Sequence, residues 1–377
     1  MQITRREFVL SAGAACLARP APAAAAGTDR YSVAILGDTH YDAAPESVYH
    51  SHYDESNKWA KVQHEEFRRN GEMWRTRCPR LLASSAALAH SLDTRFVLQL
   101  GDIVQGDCDD EPTHKKMLDD CIKMLRAPYP KGLPFLTVMG NHDFRGKGAR
   151  KAYMEFAGPF MAAEMSSLTG VERRKAEYPA FSFRLGRDLW IFCDFEMDDL
   201  APVLDLIDAD KSARHVFLVT HGPFTTFDGN SFRWRLGGKK RCEPSRQRLY
   251  ETLSRRHAVV LSGHTHTTDF YRHENGFGGF SEFTVNSVWA SQELATAVPV
   301  ADRVEQYGSI GLSIHQGEKL DDFKREIGFF KPGLREYFHN AAAGHCRMDV
   351  SDSGATMSFY PGDARKPARV FSLKTVL

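Results

Sequence analysis

Short apolar runs that break off in glycine-containing turns punctuate this chain. Residues 32–36, 96–100, 135–139, 215–219 and 258–261 are each nearly continuous in apolar side chains. A strand needs that pattern when its sheet is covered on both faces. Helical periodicity separates the first three runs. It extends over residues 59–91, with an interruption expected at Pro79, and over 112–125, where Pro112 opens the segment and Met117, Cys121, Met124 and Leu125 share one side. Residues 181–195 read as a hairpin turning at Gly186-Arg187-Asp188. Beyond residue 266 the pattern predicts strands at 269–272, 280–288, 309–314, 347–350, 356–360 and 369–373, completing a second sheet. No linker rich in proline, glycine or serine divides the chain, so the expectation is one mixed α/β domain.

The 377 residues are 42% hydrophobic and carry a formal net charge of +1. That apolar content excludes a disordered chain. The balanced charge argues against a nucleic-acid binder or a polybasic membrane-surface protein. No stretch reaches the roughly 20 apolar residues of a membrane span; the nearest, residues 8–18, is interrupted by Ser11 and Gly13.

The first 26 residues are set apart. Thr4-Arg5-Arg6-Glu7-Phe8-Val9-Leu10 precedes a short apolar run and Ala-x-Ala steps ending at Ala25 or Ala26. This resembles a bacterial twin-arginine export signal. The resemblance implies cleavage, passage through the twin-arginine machinery already folded, and a periplasmic or otherwise exported product spanning residues 27–377. Six cysteines lie outside this segment, an even number that permits disulfides, but none forms a CxxC pair. Cys193, within Leu189-Trp190-Ile191-Phe192-Cys193, reads as a buried free thiol.

Five turns carry the candidate chemistry: Gly37-Asp38-Thr39-His40, Gly101-Asp102-Ile103-Val104-Gln105-Gly106, Gly140-Asn141-His142-Asp143, Thr220-His221-Gly222 and Gly263-His264-Thr265-His266. Each follows an apolar run, at the carboxyl end of a strand, where open α/β sheets form their ligand crevice. Each offers carboxylate, amide oxygen or imidazole, the donors that suit hard or borderline divalent cations. One such turn is unremarkable; five in this order point to a metal site.

The order D-x-H, G-D-x-x-x-G, G-N-H-D, H, G-H-x-H resembles the calcineurin-like metallophosphoesterases, from about Val33 to His266. The resemblance implies a four-layer α/β/β/α sandwich of two mixed sheets, with a dimetal site at the carboxyl ends of the strands. It implies that Asp38, His40 and His266 hold one metal and Asn141, His221 and His264 the other. Asp102 would bridge them with one carboxylate oxygen to each. A bridging hydroxide would attack phosphorus in line. His142 would donate a proton to the leaving group or stabilise the charged transition state, and Asp143 would either orient His142 or cap the following segment. Gln105 stands where purple acid phosphatases carry tyrosine, so a purple enzyme is not expected; Mn, Fe or Zn all suit the donors.

Arg145, Arg233 and Arg235 are candidate contacts for a small-molecule phosphoester, with Phe232 or Trp234 stacking on its organic part. His50, His52 and His64 read as surface histidines near the cleft mouth; His90, His215 and His339 read as structural. The functional expectation is an exported phosphoric-ester hydrolase, with monoester and diester substrates both open. A metallophosphoesterase-fold binding scaffold is the alternative, and the intact ligand set argues against it.

Overall fold

A computed structural model describes residues 30–51, 58–226, 234–288 and 301–373. Thirteen described strands form two mixed sheets. The first contains β1 (Tyr31–Leu36), β2 (Thr94–Gln99), β3 (Phe135–Thr137), β11 (Gly344–Ser351), β12 (Gly354–Pro361) and β13 (Arg369–Ser372), in the order β13-β12-β11-β1-β2-β3. The second contains β4 (Ala180–Leu185), β5 (Asp188–Cys193), β6 (Val216–Val219), β7 (Val259–Ser262), β8 (Thr268–Asn275), β9 (Gly278–Thr284) and β10 (Leu334–Asn340), in the order β10-β8-β9-β7-β6-β5-β4. β1, β2 and β3 are parallel, as are β5, β6 and β7.

The continuous apolar runs reflect burial on both faces. Val33, Ile35, Phe96 and Leu98 meet Trp190, Phe192, Phe217 and Val219 between the sheets. The alternate residues Ala34, Leu36 and Val97 face outward, onto helices α2 (Lys58–Thr76), α3 (Cys78–Ser91), α4 (Glu111–Arg126) and α5 (Ala149–Thr169). On the other side Leu189, Ile191, Leu218 and Val260 pack beneath α6 (Ala201–Ala209), α7 (Glu243–Arg255) and the later helix at Gly317–Phe330. The result is four layers, α/β/β/α. In numbering the helices, α1 is the short Glu46–Tyr49 turn, α8 is Ser309–Ile314 and α9 is Gly317–Phe330.

Local signals explain several boundaries. Pro79 lies in the first turn of α3 and separates it from α2. Asp110 caps α4 by accepting the N–H of Thr113 at 2.9 Å, with Pro112 in the first turn. The 181–195 segment is the antiparallel β4–β5 hairpin.

Two expectations for the C-terminal third are corrected. β11, β12 and β13 extend the first sheet through β1, and only β8, β9 and β10 enter the second. Residues 309–314 form helix α8, not a strand. Ile310, Leu312 and Ile314 alternate as a strand would, yet Leu312 and Ile314 are exposed. Packing decided the outcome: a Cβ at Gly311 would lie 2.2 Å from the Phe323 ring of α9, so this turn is wound against that helix. All six cysteines from Cys78 to Cys346 are buried free thiols, including Cys193.

Among the described residues no helix is long and apolar enough to cross a membrane. The twin-arginine segment, His52 and Arg233 lie outside the described residues.

Candidate metal centre

The five turns converge at the carboxyl ends of β1, β2, β3, β6 and β7. Three groups of donors arise there, each with its ligand atoms within 4.8 Å of one another: Asp38, His40 and His266; His40, Asp102 and His142; and Asp102, His221 and His264. The second group places His142 beside the shared carboxylate, not apart from it.

Backbone conformation aims these side chains. His40, Asp102, His264 and His266 all have positive φ, at 39°, 50°, 71° and 53°. Left-handed backbone costs a non-glycine residue about 1–3 kcal/mol and persists only where the surroundings impose it. The neighbouring glycines permit close approach. A Cβ on Gly140 would lie 2.2 Å from Oδ1 of Asp102, and one on Gly263 would lie 2.3 Å from Oδ1 of Asp38.

Each carboxylate divides its two oxygens. Oδ1 of Asp38 accepts the N–H of His264 at 2.8 Å. Its Oδ2 is buried and receives no hydrogen bond, although Nε2 of His266 stands 3.1 Å away and Nε2 of His40 3.7 Å. Oδ1 of Asp102 accepts the N–H of His142 at 2.7 Å. Its Oδ2 lies 3.6 Å from Nε2 of His40 and 3.2 Å from Nε2 of His221. The resemblance implies one Asp102 oxygen for each metal; here a single oxygen faces both histidine groups, and the other accepts a backbone N–H.

The histidine nitrogens point at one another. Nε2 of His40 is 2.9 Å from Nε2 of His266, and Nδ1 of His264 is 3.1 Å from Nε2 of His221. Oδ1 of Asn141 is 3.2 Å from the same His221 nitrogen. Nδ1 of His221 faces the carbonyl of Leu100 at 2.8 Å, an atom that only accepts. The proton therefore sits on Nδ1 and leaves Nε2 for another partner. Phe195 sets its ring against both His221 and His264, with centroids 5.4 and 5.9 Å away.

A buried carboxylate oxygen that receives no hydrogen bond, a second shared between imidazoles, and imidazole nitrogens converging in pairs are the donor set that binds a cation. The donors fit two divalent metals. Electrostatics agree. Burial opposes charge on Asp38, but the imidazoles of His221, His266 and His40 outweigh it and hold the carboxyl well below its usual range. Burial likewise opposes charge on His221, yet Asp102 and Asp38 raise it to about 10. The site is built for positive charge.

His142 and Asp143 part company. Nδ1 of His142 faces the carbonyl of Gln105 at 2.9 Å, and Nη1 of Arg145 lies 2.8 Å from its Nε2. Asp143 does not touch the imidazole; its Oδ1 accepts the N–H of Ile103 at 2.8 Å and of Val104 at 3.2 Å, and its Oδ2 accepts that of Gly140 at 2.8 Å. Of the two expectations for Asp143, orienting His142 or capping the segment that follows, these bonds match neither; they tie the Asp102 turn to the Asn141 turn.

Arg145 reaches the site, with its other terminal nitrogen on Asp107 at 2.5 Å. Arg235 does not offer its charge in the same way: it is buried and paired with Glu326, which also binds Arg246. Trp234 is half exposed. His50 is buried, not a surface residue. It stacks on Phe67 with centroids 3.8 Å apart and faces Asp42 and the carbonyl of Asp107. Sequence reasoning missed Asn70 and Trp74 of α2. Nε1 of Trp74 donates to the carbonyls of Thr39 and His40 at 2.8 and 2.9 Å. No signal marks these residues, because their partners are over 30 positions away.

The sequence pattern of the calcineurin-like phosphoesterases matches residues 31–268, more than half of the chain and all five turns. The chain belongs to this family, and the match supports a phosphoester hydrolase. No curated protein matches it. Among solved structures it is similar to a dimetal phosphatase from Danio rerio, at 12% identity and TM-score 0.49, over 92% of this chain and 99% of that one. It is also similar to a purple acid phosphatase from yellow lupin (Lupinus luteus) seeds, at 11% identity and TM-score 0.49, over 92% and 54%. A third is GAP50, the anchor in the inner membrane complex of Plasmodium, at 14% identity and TM-score 0.46, over 92% and 89%.

Proposed function

We propose that this protein is an exported dimetal hydrolase of small phosphoric esters. The observation that carries the reading is the position of Asp102 Oδ2 between Nε2 of His40 and Nε2 of His221. Asp38, His40 and His266 would hold one cation, Asn141, His221 and His264 the other, and Asp102 both. When bound, a Mn, Fe or Zn pair supplies Lewis acidity toward the phosphoryl group and acidifies water.

The residues around that pair define the rest of the reaction. The Gln105 carbonyl keeps the proton of His142 on Nδ1, so Nε2 is an acceptor, and it faces the Nη1 donor of Arg145 at 2.8 Å. Burial, the His40 ring and Arg145 push His142 well below its ordinary pKa, despite Asp102, and keep it neutral. The positive charge beside it belongs to Arg145, anchored by Asp107. We therefore assign stabilisation of the departing oxygen to the Arg145 guanidinium, which His142 holds in place through Nε2, in preference to proton donation from a standing imidazolium. Arg145 is also the cation best placed to meet a phosphate oxygen.

The test is hydrolysis of p-nitrophenyl phosphate and bis-p-nitrophenyl phosphate by residues 27–377, stripped of metal and reloaded with Mn, Fe or Zn. Metal-dependent turnover of either ester is expected, and the ratio of the two sets monoester against diester preference. Tight metal binding without turnover of any phosphoester would favour the scaffold alternative. Export rests on Arg5 and Arg6 within a leader ending near Ala26. Residues 1–26 fused to a reporter that folds in the cytoplasm should carry it to the periplasm, and the double change Arg5→Lys, Arg6→Lys should retain it inside.

A further inference from the structure

The turn after β2 and the helix α2 meet at one buried amide. Gln105 and Asn70 are both fully buried. Oε1 of Gln105 accepts from Nδ2 of Asn70 at 2.7 Å and faces Nδ1 of His40 at 3.0 Å. The pairing is costly, because Oδ1 of Asn70 and Nε2 of Gln105 have no hydrogen-bond partner. Apolar side chains would pack the same space without that cost, so the amides require an explanation beyond packing. Oε1 of Gln105 is the atom that joins this pair to the His40 imidazole.

We infer that Gln105, braced by Asn70, is a positioning residue that keeps the proton of His40 on Nδ1 and turns Nε2 as a lone pair toward Asp38, His266 and Asp102. An oxygen that already accepts from Asn70 can only accept from His40. Reversing both amides would set Nε2–H of Gln105 against Nδ1 of His40. The His40 proton would then move to Nε2, 2.9 Å from Nε2 of His266, and His40 could no longer ligate. Because α2 contributes Trp74 to the turn carrying His40 and Asn70 to the Gln105 amide that faces it, this helix belongs to the metal site as well as to the outer layer. The inference rests on the proposed dimetal reading.

The test uses the whole chain loaded with Zn, which is diamagnetic. Zinc content and affinity are measured by chelator competition for wild type, Gln105→Met, Gln105→Glu and Asn70→Ala. The protonated nitrogen of His40 is read from long-range nitrogen–proton NMR correlations. Loss of an orienting partner to a metal histidine typically weakens binding about 10–100-fold. Gln105→Met should lose that much affinity for one equivalent and keep the other, Gln105→Glu should restore it because a carboxylate also accepts, and Asn70→Ala should show a smaller loss. Two equivalents at wild-type affinity in Gln105→Met, equal losses in the Met and Glu variants, or a His40 proton on Nε2 in the zinc-loaded wild type would each overturn the inference. Should Gln105→Met not fold, the Asn70→Ala affinity and the wild-type tautomer decide. A wild type that binds fewer than two equivalents would instead sink the dimetal reading itself.

Discussion

Asp102 and His142 are joined through the backbone: the N–H of His142 donates to Oδ1 of Asp102 at 2.7 Å, while Oδ2 of Asp102 faces the converging histidines. One carboxylate thus holds the turn that carries His142 and offers its second oxygen to both ligand groups. The residue that holds Arg145 toward the leaving group is thereby registered directly against the residue proposed to bridge the metals.

Asp102→Ala should therefore abolish binding of both metals. Metal analysis of the purified variant checks this, and two retained equivalents per chain would contradict the shared oxygen.

His142→Ala should keep both metals and lower kcat by about 10²-fold or more, the scale of one positioned group at a reacting centre. Arg145→Ala should produce a loss of similar order if the two act as a unit, and the double variant should be little worse than either single one. Additive losses would separate them.

Asp143→Asn tests the reassignment of that residue. Its carboxylate accepts three backbone N–H groups, and the amide would turn a donor toward one of them. Urea denaturation should show roughly 2–4 kcal/mol of lost stability. A fully stable variant with impaired turnover would instead restore the role of orienting His142.

Gly263→Ala would drive a methyl into Oδ1 of Asp38, and Gly140→Ala one into Oδ1 of Asp102. Overpacking costs about 1–3 kcal/mol, so each should weaken metal binding roughly ten- to a hundredfold in a chelator titration. Unchanged affinity would show that the turns can yield.

Glu282 of β9 links stability to pH. Its two oxygens accept the N–H groups of Phe224 and Thr225, just beyond His221, at 2.7 and 2.8 Å. Burial pushes its carboxyl up to about 7, against roughly 4.3 in an unfolded chain. The folded state therefore holds a proton that the unfolded state releases. The stability this contributes is complete below pH ~4.3 and is lost as pH rises to about 7. Relative to Glu282→Gln, the wild type should lose about 3 kcal/mol across that window in denaturant unfolding. A pH-independent difference would refute the linkage.

Much of the fold was legible because each β strand at the site is buried on both faces and must be largely apolar, as 33–36 and 216–219 are. The hairpin at Gly186 and the helix opened by Pro112 were legible for equally local reasons. Helix α5 was not: its apolar residues cover several faces, and Gly158-Pro159 interrupts the pattern. Helix α8 was misread because alternation at Ile310, Leu312 and Ile314 is a strand signal that contact with Phe323 overrides.

The candidate ligands were likewise legible, because the glycines and donor types occur within a few residues of one another. The sequence alone determined which residues are available to bind cations and which strands carry them. Tertiary structure decided how each donor is used. It gave one Asp102 oxygen to the backbone and the other to the histidines, drew Asp143 away from His142, paired Arg235 with Glu326, and brought Asn70 across from α2 to Gln105. Those outcomes depend on hydrogen bonds between segments distant in the chain. No local spacing encodes them, because a buried donor or acceptor takes whichever partner the packed fold brings within reach.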